Sequence, residues 1–450
     1  MFDAVVLGTI VTEERVTPDA YVAIAGEKIA EVGSGAPPAA RTTFDRSGCL
    51  IFPGLVDGHV HTGSALGWPG IEGTTKTAAA GGVTTCVDMP YDVPEATTDA
   101  GILRRKIAVV NATAHVDVAL YGTIRKHDGV GAIAELADGG VCSFKLSTYE
   151  YDAVRFPRID HPTMIAAFQE IARTGAPVSI HNEDQELVES LSADARAAGK
   201  THALMHSRTR PALAETLADN EIFEIGLYTG AHVHIAHSSL ARGFTIAETF
   251  RGYGAKASGE ACIQYLCMTE DDLVRLRGIG KCNPPFRTAA EVERMWASLQ
   301  DDLVAYVSTD HAPWPLERKT KADIFACSAG LVGLQSFGPL MYSLLVERGL
   351  SPPLMAKYCA DRPARHHGLA GKGRIAEGYD ADLMVIEPGD FVFNQAEIVD
   401  REELRWSPYH GRRMRGRVAS TFLRGQLIWN DGTTLSAPGT GRFVPRERRQ

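Results

Sequence analysis

The chain has 450 residues and a formal net charge of −9, with 44% hydrophobic and 22% charged residues. These values are typical of a soluble globular protein and predict one large domain beside a smaller one. No cluster of Lys and Arg indicates nucleic-acid binding, and no apolar run is long enough to cross a membrane. The N-terminus lacks a signal peptide and the eight cysteines include no Cys-x-x-Cys pair, so we predict reduced thiols in a cytoplasmic protein.

The two ends of the chain contain short predicted strands. Near the N-terminus these are residues 4–7, 21–25 and 28–32, with a hairpin turn at Gly26-Glu27. Pro37-Pro38 and the polar residues after them predict a loop, and residues 49–52 predict a buried strand that Pro53-Gly54 ends. Strands return at residues 381–386, 416–423 and 426–429. We expect residues 1–53 and 371–450 to meet in one small β-sheet domain beside the central part of the chain.

Between the two ends, short apolar strands alternate with helical segments. The predicted strands are residues 84–88, 116–121, 142–146, 178–181, 232–236, 255–258 and 305–308. The predicted helices are residues 101–112, 162–174, 211–229 and 240–253. Alternating units of this number and length favour the α/β class and a (β/α)8 TIM-like barrel over residues 54–370.

Two histidines separated by one residue follow the predicted strand at residues 49–52. His59 and His61 lie in Gly54-Leu55-Val56-Asp57-Gly58-His59-Val60-His61, and residues i and i+2 of an extended segment point the same way. Two imidazoles on one face form half of a site for a zinc-like ion, because neutral imidazole is a common metal ligand. Taken alone, the motif is a weak signal that two polar residues at a strand end explain better, and the rest of the chain is what favours a metal site.

Other predicted barrel strands end in side chains of the same chemical type. Catalytic groups of a barrel stand at the C-terminal ends of its strands. Beside His59 and His61, these ends carry Lys145, His181, His237 and Asp310. A single polar residue at a strand end is usually a cap or a loop contact, but six residues of metal-ligand type in one barrel predict a metal centre.

Lys145 is the unusual member, because a protonated amine repels metal cations. Burial in an apolar strand lowers the pKa of a lysine. The neutral amine then takes up CO2 and becomes a carbamate, which is a bidentate anion able to bridge two metals. From its chemistry alone, a salt bridge at the barrel rim explains Lys145 equally well.

Together these motifs resemble the amidohydrolase superfamily, and within it the cyclic-amide hydrolases: allantoinase, hydantoinase or dihydropyrimidinase, and dihydroorotase. The resemblance covers nearly the whole chain, through residues 54–61, 72–90, 143–145, 234–239, 259–266, 281–287, 308–313, 330–335 and 378–383. It is closest to allantoinase-like members, on Ala79-Ala80-Gly81-Gly82, Asp88-Met89-Pro90, Gly333-Leu334-Gln335 and Trp406-Ser407-Pro408-Tyr409.

The resemblance implies a TIM-like barrel with a composite β-sandwich, assembled as a homotetramer or dimer. It implies that His59, His61, Lys145 and Asp310 hold one divalent metal. Carboxylated Lys145 would bridge to a second metal, which His181 and His237 hold. Zinc is the expected metal, with manganese or cobalt also suited to these ligands. The implied reaction is opening of a ring C–N bond by a hydroxide that bridges the metals, with Asp310 carrying the proton.

The substrate-binding residues differ from those of each subfamily. Dihydroorotases carry an arginine shortly after the His-x-His, where this chain has Thr62-Gly63-Ser64, so dihydroorotate is disfavoured. Hydantoinases place a tyrosine five residues after the carboxylated lysine, where this chain has Glu150 between Tyr149 and Tyr151. Either tyrosine is a candidate for stabilising the oxyanion. Asn283 stands where hydantoinases have a serine, and its amide suits the edge of a ureide or imide.

The segment 147–160 follows the metal lysine and is predicted to reach over the pocket. Arg155 or Arg158 is a candidate for binding an anionic or ureido substituent, and the alternative is a solvated loop arginine. Trp68 and Trp314 follow metal-ligand strands, so each either lines the pocket or packs at its rim. We expect the substrate to be a small five-membered ureide or imide such as allantoin or a hydantoin.

Three other functions stay open on the sequence alone. One is dihydroorotase or dihydropyrimidinase activity, and another is hydrolysis of a different lactam or amide on the same scaffold. The third is a non-catalytic scaffold relative that has lost its metal ligands. All six ligand positions are present here, which disfavours the third.

Overall fold

The computed structural model describes residues 1–447, which build two sheets of eight strands each. One sheet closes into a barrel, and the other joins the two ends of the chain. Within the described residues, no helix is both long and apolar enough to cross a membrane. The strands, in chain order, are β1 (Phe2–Val11), β2 (Val16–Ala25), β3 (Lys28–Ser34), β4 (Ala40–Pro53), β5 (Leu55–Val60), β6 (Val83–Asp88), β7 (Asp117–Gly122), β8 (Ser143–Ser147), β9 (Val178–His181), β10 (His232–Ser238), β11 (Lys256–Cys262), β12 (Val307–Ser308), β13 (Leu383–Val392), β14 (Arg413–Leu423), β15 (Gln426–Asn430) and β16 (Thr433–Thr434).

Strands β5 to β12 are all parallel and lie side by side in chain order. The barrel closes where Val60 of β5 pairs with His311 beyond β12, and the backbone N–H of His61 donates to the His311 carbonyl (2.8 Å). The predicted (β/α)8 barrel is therefore confirmed, and each predicted strand overlaps an observed one. Closure brings the C-terminal ends of all eight strands to one face.

Helices cover the outside of the barrel and separate its strands. The four predicted helices match α2, α4, α7 and α8 to within one residue at each end. Asp99 and Asp160 begin two of them, since their side chains accept from the backbone N–H of Ile102 and Thr163. The helices are α1 (Gly70–Ala80), α2 (Ala100–Thr113), α3 (Ile133–Asp138), α4 (His161–Thr174), α5 (Gln185–Ala197), α6 (Met205–Arg208), α7 (Ala212–Thr229), α8 (Ala241–Gly252), α9 (Glu270–Leu276), α10 (Ala289–Gln300), α11 (Phe337–Arg348), α12 (Pro353–Ala356) and α13 (Arg362–His367).

The second sheet has the order β16-β15-β14-β13-β4-β1-β2-β3. Strand β4 joins its two halves, because it pairs with β1 in parallel and with β13 in the antiparallel sense. Phe44 of β4 packs edge-on against Phe422 of β14, with ring centroids 5.0 Å apart. The prediction that both chain ends meet in one β-rich unit is confirmed.

The N-terminal part of β4 differs from the sequence prediction. The polar residues after Pro37-Pro38 predict a loop, but residues 40–48 belong to a strand that pairs with β1. Most of these residues are exposed and polar, so their composition resembles that of a loop. Backbone pairing, which composition does not reveal, holds them extended. The two histidines also do not continue this strand, because residues 55–60 form β5 in the barrel sheet.

A buried cation joins the two sheets. Lys372 Nζ lies 2.6 Å from Asp117 of β7, and 2.8 Å from both Asp380 and Asp382 beside β13. The guanidinium of Arg424 contacts Asp117 from the other side. The three carboxylates are close enough to hold a metal ion, but they already share the lysine charge, so this cluster is structural.

Candidate metal centre

One group of metal-ligand side chains lies where the barrel closes. His59 lies in β5, His61 follows it, and Asp310 follows β12. The Nε2 atoms of His59 and His61 lie 3.3 and 3.2 Å from the same Asp310 oxygen. Ligand atoms of the three residues lie within 4.8 Å of one another. This spacing suits a single metal ion bound by all three side chains.

A buried carboxylate fixes the backbone beside this group. Asp57 accepts hydrogen bonds from the backbone N–H groups of His59 (3.2 Å) and Thr309 (3.1 Å), and from the Thr309 hydroxyl (2.5 Å). These bonds tie the first barrel strand to the residues after the last one. Asp310 itself has a φ of +49°, a left-handed conformation that few non-glycine residues adopt. Asp57 therefore helps to hold Asp310 in this unusual conformation facing the two histidines.

A second pair of histidines adjoins the first group. His181 ends β9, His237 lies near the end of β10, and His181 Nδ1 is 2.9 Å from His237 Nε2. The ring centroids of His237 and His59 are 5.3 Å apart, so the pair His181–His237 lies next to the group His59, His61 and Asp310. His237 also has a positive φ, of +41°. Two ring nitrogens that face each other at this distance suit a shared metal ion.

Lys145 lies near both groups. It is in β8 and fully buried, and its Nζ has no hydrogen-bond partner among residues 1–447. Burial is the main cause that lowers the pKa of His59, His181 and His237, and a protonated Lys145 would lower it further. Burial lowers the pKa of Lys145 itself, which favours the neutral amine. This amine is the form that reacts with CO2.

Two carboxylates orient the histidines from behind. Glu260 of β11 lies 2.5 Å from His59 Nδ1 and accepts from the backbone N–H of His237 (3.0 Å). Glu183 lies 3.0 Å from His181 Nε2. A carboxylate that accepts from one ring nitrogen leaves the other nitrogen free as a metal ligand. His59 Nε2 and His181 Nδ1 are the nitrogens left facing the centre.

The electrostatics of the site also fit metal ions. Burial lowers the pKa of His59, His181 and His237, so these imidazoles are neutral near pH 7 and offer lone pairs. His59 Nε2 is buried and makes no hydrogen bond within the described part of the chain. Two groups of the site are therefore unpaired: the His59 Nε2 atom, beside the Asp310 carboxylate, and the buried Lys145 amine. These groups suit the binding of two metal ions and a bridging carbamate.

A cavity of about 400 Å³ opens above these six residues, which all line it. Its walls come from loops that follow several barrel strands. They include four residues predicted to contact substrate or line the pocket, which are Tyr151, Arg155, Asn283 and Trp314. The other wall residues are Ser64, Tyr91, Asp152, Phe156, Ala312, Arg318, Ser328, Ala329 and Gly330. The volume is in the range of small-molecule sites.

Three predicted residues lie away from the cavity lining. Tyr149 packs against the guanidinium of Arg210, whose central carbon lies 4.8 Å from the ring centroid. Trp68 donates its indole N–H to Asp92 (3.0 Å). Arg158, within the segment 147–160, is half-buried. Of the two tyrosines in the segment 147–160, only Tyr151 lines the cavity, and its hydroxyl lies 3.1 Å from His181 Nε2.

Sequence reasoning gave no role to the three supporting carboxylates Asp57, Glu183 and Glu260. Each is a charged residue at or just after a buried barrel strand, as the ligands are. That signal, applied to β11, would have found Glu260. It would not have shown that Glu260 contacts His59, 201 positions away along the chain.

Comparison with known proteins identifies the family of this chain. The sequence profile of the Amidohydrolase family matches residues 50–428, which include every candidate ligand. The chain belongs to the amidohydrolase family. An allantoinase of Rubrobacter xylanophilus is 37% identical over 455 residues, covering 99% of this chain and 98% of that protein. An allantoinase of Solibacter usitatus is 35% identical, covering 98% of this chain and 96% of that protein.

Solved structures give a consistent result. The L-hydantoinase (dihydropyrimidinase) from Arthrobacter aurescens matches with a TM-score of 0.94 and 27% sequence identity, covering 99% of this chain and 100% of that one. A structure described as D-hydantoinase matches with a TM-score of 0.91 and 25% identity, over the whole of both chains. Both agree with the barrel and with the sheet built from the chain ends.

The contact between Glu260 and His59 yields a testable prediction for this amidohydrolase. We expect Glu260→Gln to weaken zinc binding by about 10–100-fold, because an amide oxygen is a weaker acceptor for the His59 ring N–H than a carboxyl group and fixes the ring less firmly. Chelator competition on the purified variant measures this affinity. Glu215→Gln is the control, since Glu215 is equally buried but contacts Arg287 and Ser239 instead of a candidate ligand. Equal zinc affinities for both variants would contradict the orienting role.

Proposed function

We propose that this protein is a metal-dependent hydrolase that opens a C–N bond in the ring of a small cyclic amide. The observation that carries the proposal is the convergence of four histidines, Lys145 and Asp310 on the floor of one cavity. The expected substrate is a five-membered ureide or imide such as allantoin or a hydantoin. The names of the allantoinase relatives and the hydantoinase neighbours support this substrate class.

We assign the metal ligands in two groups. His59, His61 and Asp310 would hold one divalent ion, His181 and His237 would hold the second, and carboxylated Lys145 would bridge the two. Zinc is the expected metal, and manganese or cobalt would also suit imidazole and carboxylate ligands. When bound, such ions polarise the substrate carbonyl and lower the pKa of water.

The chain's own residues supply the proton transfer. Asp310 faces the floor of the cavity, where it would accept a proton from the attacking water and return it to the leaving ring nitrogen. Tyr151 would donate its hydroxyl to the oxyanion that forms on the carbonyl. Partial burial raises the pKa of the Tyr151 hydroxyl, which keeps it protonated and able to donate.

Asn283 is assigned to recognition of the ring. Its Oδ1 atom is buried at the cavity wall and has no hydrogen-bond partner within residues 1–447. An unpaired buried acceptor is costly unless a ligand pairs with it. A ring N–H of a ureide or imide is a donor of the required kind, and a ring that lacks one would leave Asn283 unpaired.

Three properties of the whole protein belong to the same proposal. Residues 54–370 would form the catalytic domain, with residues 1–53 and 371–450 as the β-sandwich, although residues 448–450 lie outside the described part. The protein would act in the cytoplasm, where its eight cysteines, all unpaired, would stay reduced. It would assemble as a homotetramer or a dimer.

A panel of cyclic amides tests the proposal. Steady-state hydrolysis is measured with allantoin, hydantoin, 5-substituted hydantoins, dihydrouracil, dihydroorotate and succinimide, with added zinc, manganese or cobalt. We expect metal-dependent ring opening of at least one five-membered ring and none of dihydroorotate, because the site is assigned to five-membered rings and Thr62-Gly63-Ser64 lack the arginine that dihydroorotases carry there. Turnover of dihydroorotate alone, or of no ring, would contradict the assignment.

A further inference from the structure

Two arginines line the cavity together with the metal ligands, and their exposure to solvent, partial for Arg155 and larger for Arg318, places them at its mouth. Arg155 comes from the segment after β8, and Arg318 comes from the loop after β12. A volume of about 400 Å³ leaves room for a substituent on a bare five-membered ring. With the scissile amide at the metal ligands, such a substituent would extend toward the mouth.

Arg155 is already paired. Its Nε and one terminal nitrogen both lie 3.2 Å from the same Asp152 oxygen. The other Asp152 oxygen accepts from the backbone N–H groups of Val154 and Arg155. The Arg155 charge is therefore neutralised within its own turn, which makes this residue a poor receptor for a substrate group.

Arg318 has a different environment. No carboxylate within residues 1–447 lies in salt-bridge distance of its guanidinium. The group instead lies over the ring of Trp314, with its central carbon 4.1 Å from the centroid. Stacking restrains the guanidinium plane but leaves the N–H groups at its edge free to donate. Arg318 is thus a restrained and unneutralised cation at the mouth.

The support beneath Arg318 is itself held by hydrogen bonds. The indole N–H of Trp314 donates to the Ala329 carbonyl (2.7 Å), and the Trp314 carbonyl accepts from the indole N–H of Trp406 (2.8 Å). The next residue, Lys319, is fully buried and donates to three backbone carbonyls of this loop and its neighbour. Side chains held by packing and hydrogen bonds position a binding group better than a mobile loop does.

We propose that Arg318 determines specificity by binding an oxygen acceptor on the exocyclic substituent of the substrate ring. The two sources of such an acceptor are the carbonyl of a ureido group and a carboxylate, and the guanidinium fork donates to either. This inference rests on the proposed function, because it places the ring amide at the metal ligands. The sequence made Arg155 or Arg158 the candidate for binding this substituent, and we assign its binding to Arg318 instead.

Kinetics on zinc-loaded protein test the inference with three matched substrates: hydantoin, allantoin with its ureido group, and hydantoin-5-acetic acid with a carboxylate. We expect Arg318→Ala to raise KM at least about 10-fold for one or both substituted rings and to change the KM of hydantoin less than about 2-fold. The substituted ring that responds identifies the acceptor. Lys321→Ala, an exposed cation of the same loop that does not line the cavity, should leave all three unchanged. Equal effects of Arg318→Ala on all three rings, or none on any, would overturn the inference.

A binding measurement separates this inference from the proposed function. Calorimetric titration compares the affinity of each substituted ring with that of hydantoin, and it requires no turnover. If the wild type hydrolyses none of the rings, the proposed function fails. The inference still stands if the wild type binds a substituted ring more tightly than hydantoin and Arg318→Ala removes that difference. It is overturned if the wild type shows no difference, or if the variant keeps it.

Discussion

Lys145→Ala is expected to remove bound metal and to lower kcat/KM for the preferred ring by at least ~10³-fold, equivalent to about 4 kcal/mol of transition-state stabilisation. The physical reason is that Lys145 would contribute, as its carbamate, the only protein ligand assigned to both metals. Its amine is buried and makes no hydrogen bond among the described residues, so Lys145→Ala breaks no other hydrogen bond of this amine. Metal content by mass spectrometry and steady-state kinetics on the same sample give the two readouts.

Chemical rescue separates a lost bridging ligand from a damaged fold. Short carboxylic acids such as acetate or propionate should partly restore metal content and activity to Lys145→Ala, because they supply the missing anion in the space left by the side chain. Lys106→Ala is the matched control, since Lys106 is equally buried but forms ion pairs with Asp88 and Asp92. Rescue of both variants, or full activity of unrescued Lys145→Ala, would refute the bridging role.

Asp310→Asn is expected to lower kcat by about 10²–10⁴-fold, the usual contribution of a positioned acid or base. Asparagine has nearly the same shape and keeps an oxygen that a metal can bind, but it does not accept the proton of the attacking water. The effect should therefore fall on kcat more than on KM. Pre-steady-state measurement with the preferred ring checks that the chemical step itself has slowed.

Metal content is the control for this variant. His59, His61, Lys145, His181 and His237 are unchanged in Asp310→Asn, so we expect most of the bound metal to remain. A variant that keeps its metal and also keeps its activity would exclude Asp310 as the proton carrier. Parallel loss of metal and activity would reduce its role to that of a ligand.

The regular parts of this fold could be predicted because local patterns determine them. Helices α2 and α4 follow capping aspartates, and the barrel strands are short apolar runs between turn residues. The six candidate ligands could be predicted for a related reason. Barrel topology brings all strand ends to one face, so residues far apart in the chain meet without any knowledge of their contacts.

Features that depend on tertiary contacts could not be predicted in this way. Residues 40–48 look like a loop because their side chains are polar, and only pairing with β1 makes them a strand. Tyr149 and Tyr151 are two positions apart, and the sequence does not show which of them lines the cavity. In the structure Tyr149 packs against Arg210 instead, and Tyr151 lines the cavity. Arg155 and Arg318 are alike in sequence, but only the position of Asp152 shows which of them is neutralised.

Removal and return of metal is the measurement that tests the account most directly. The protein is treated with a chelator, dialysed, and titrated with zinc, manganese or cobalt while hydrolysis of allantoin and hydantoin is followed. We predict that activity disappears without metal and returns in proportion to bound ion, reaching its maximum at about two ions per chain. Full ring-opening activity in protein shown to contain no metal would contradict the assignment of His59, His61, Lys145, His181, His237 and Asp310.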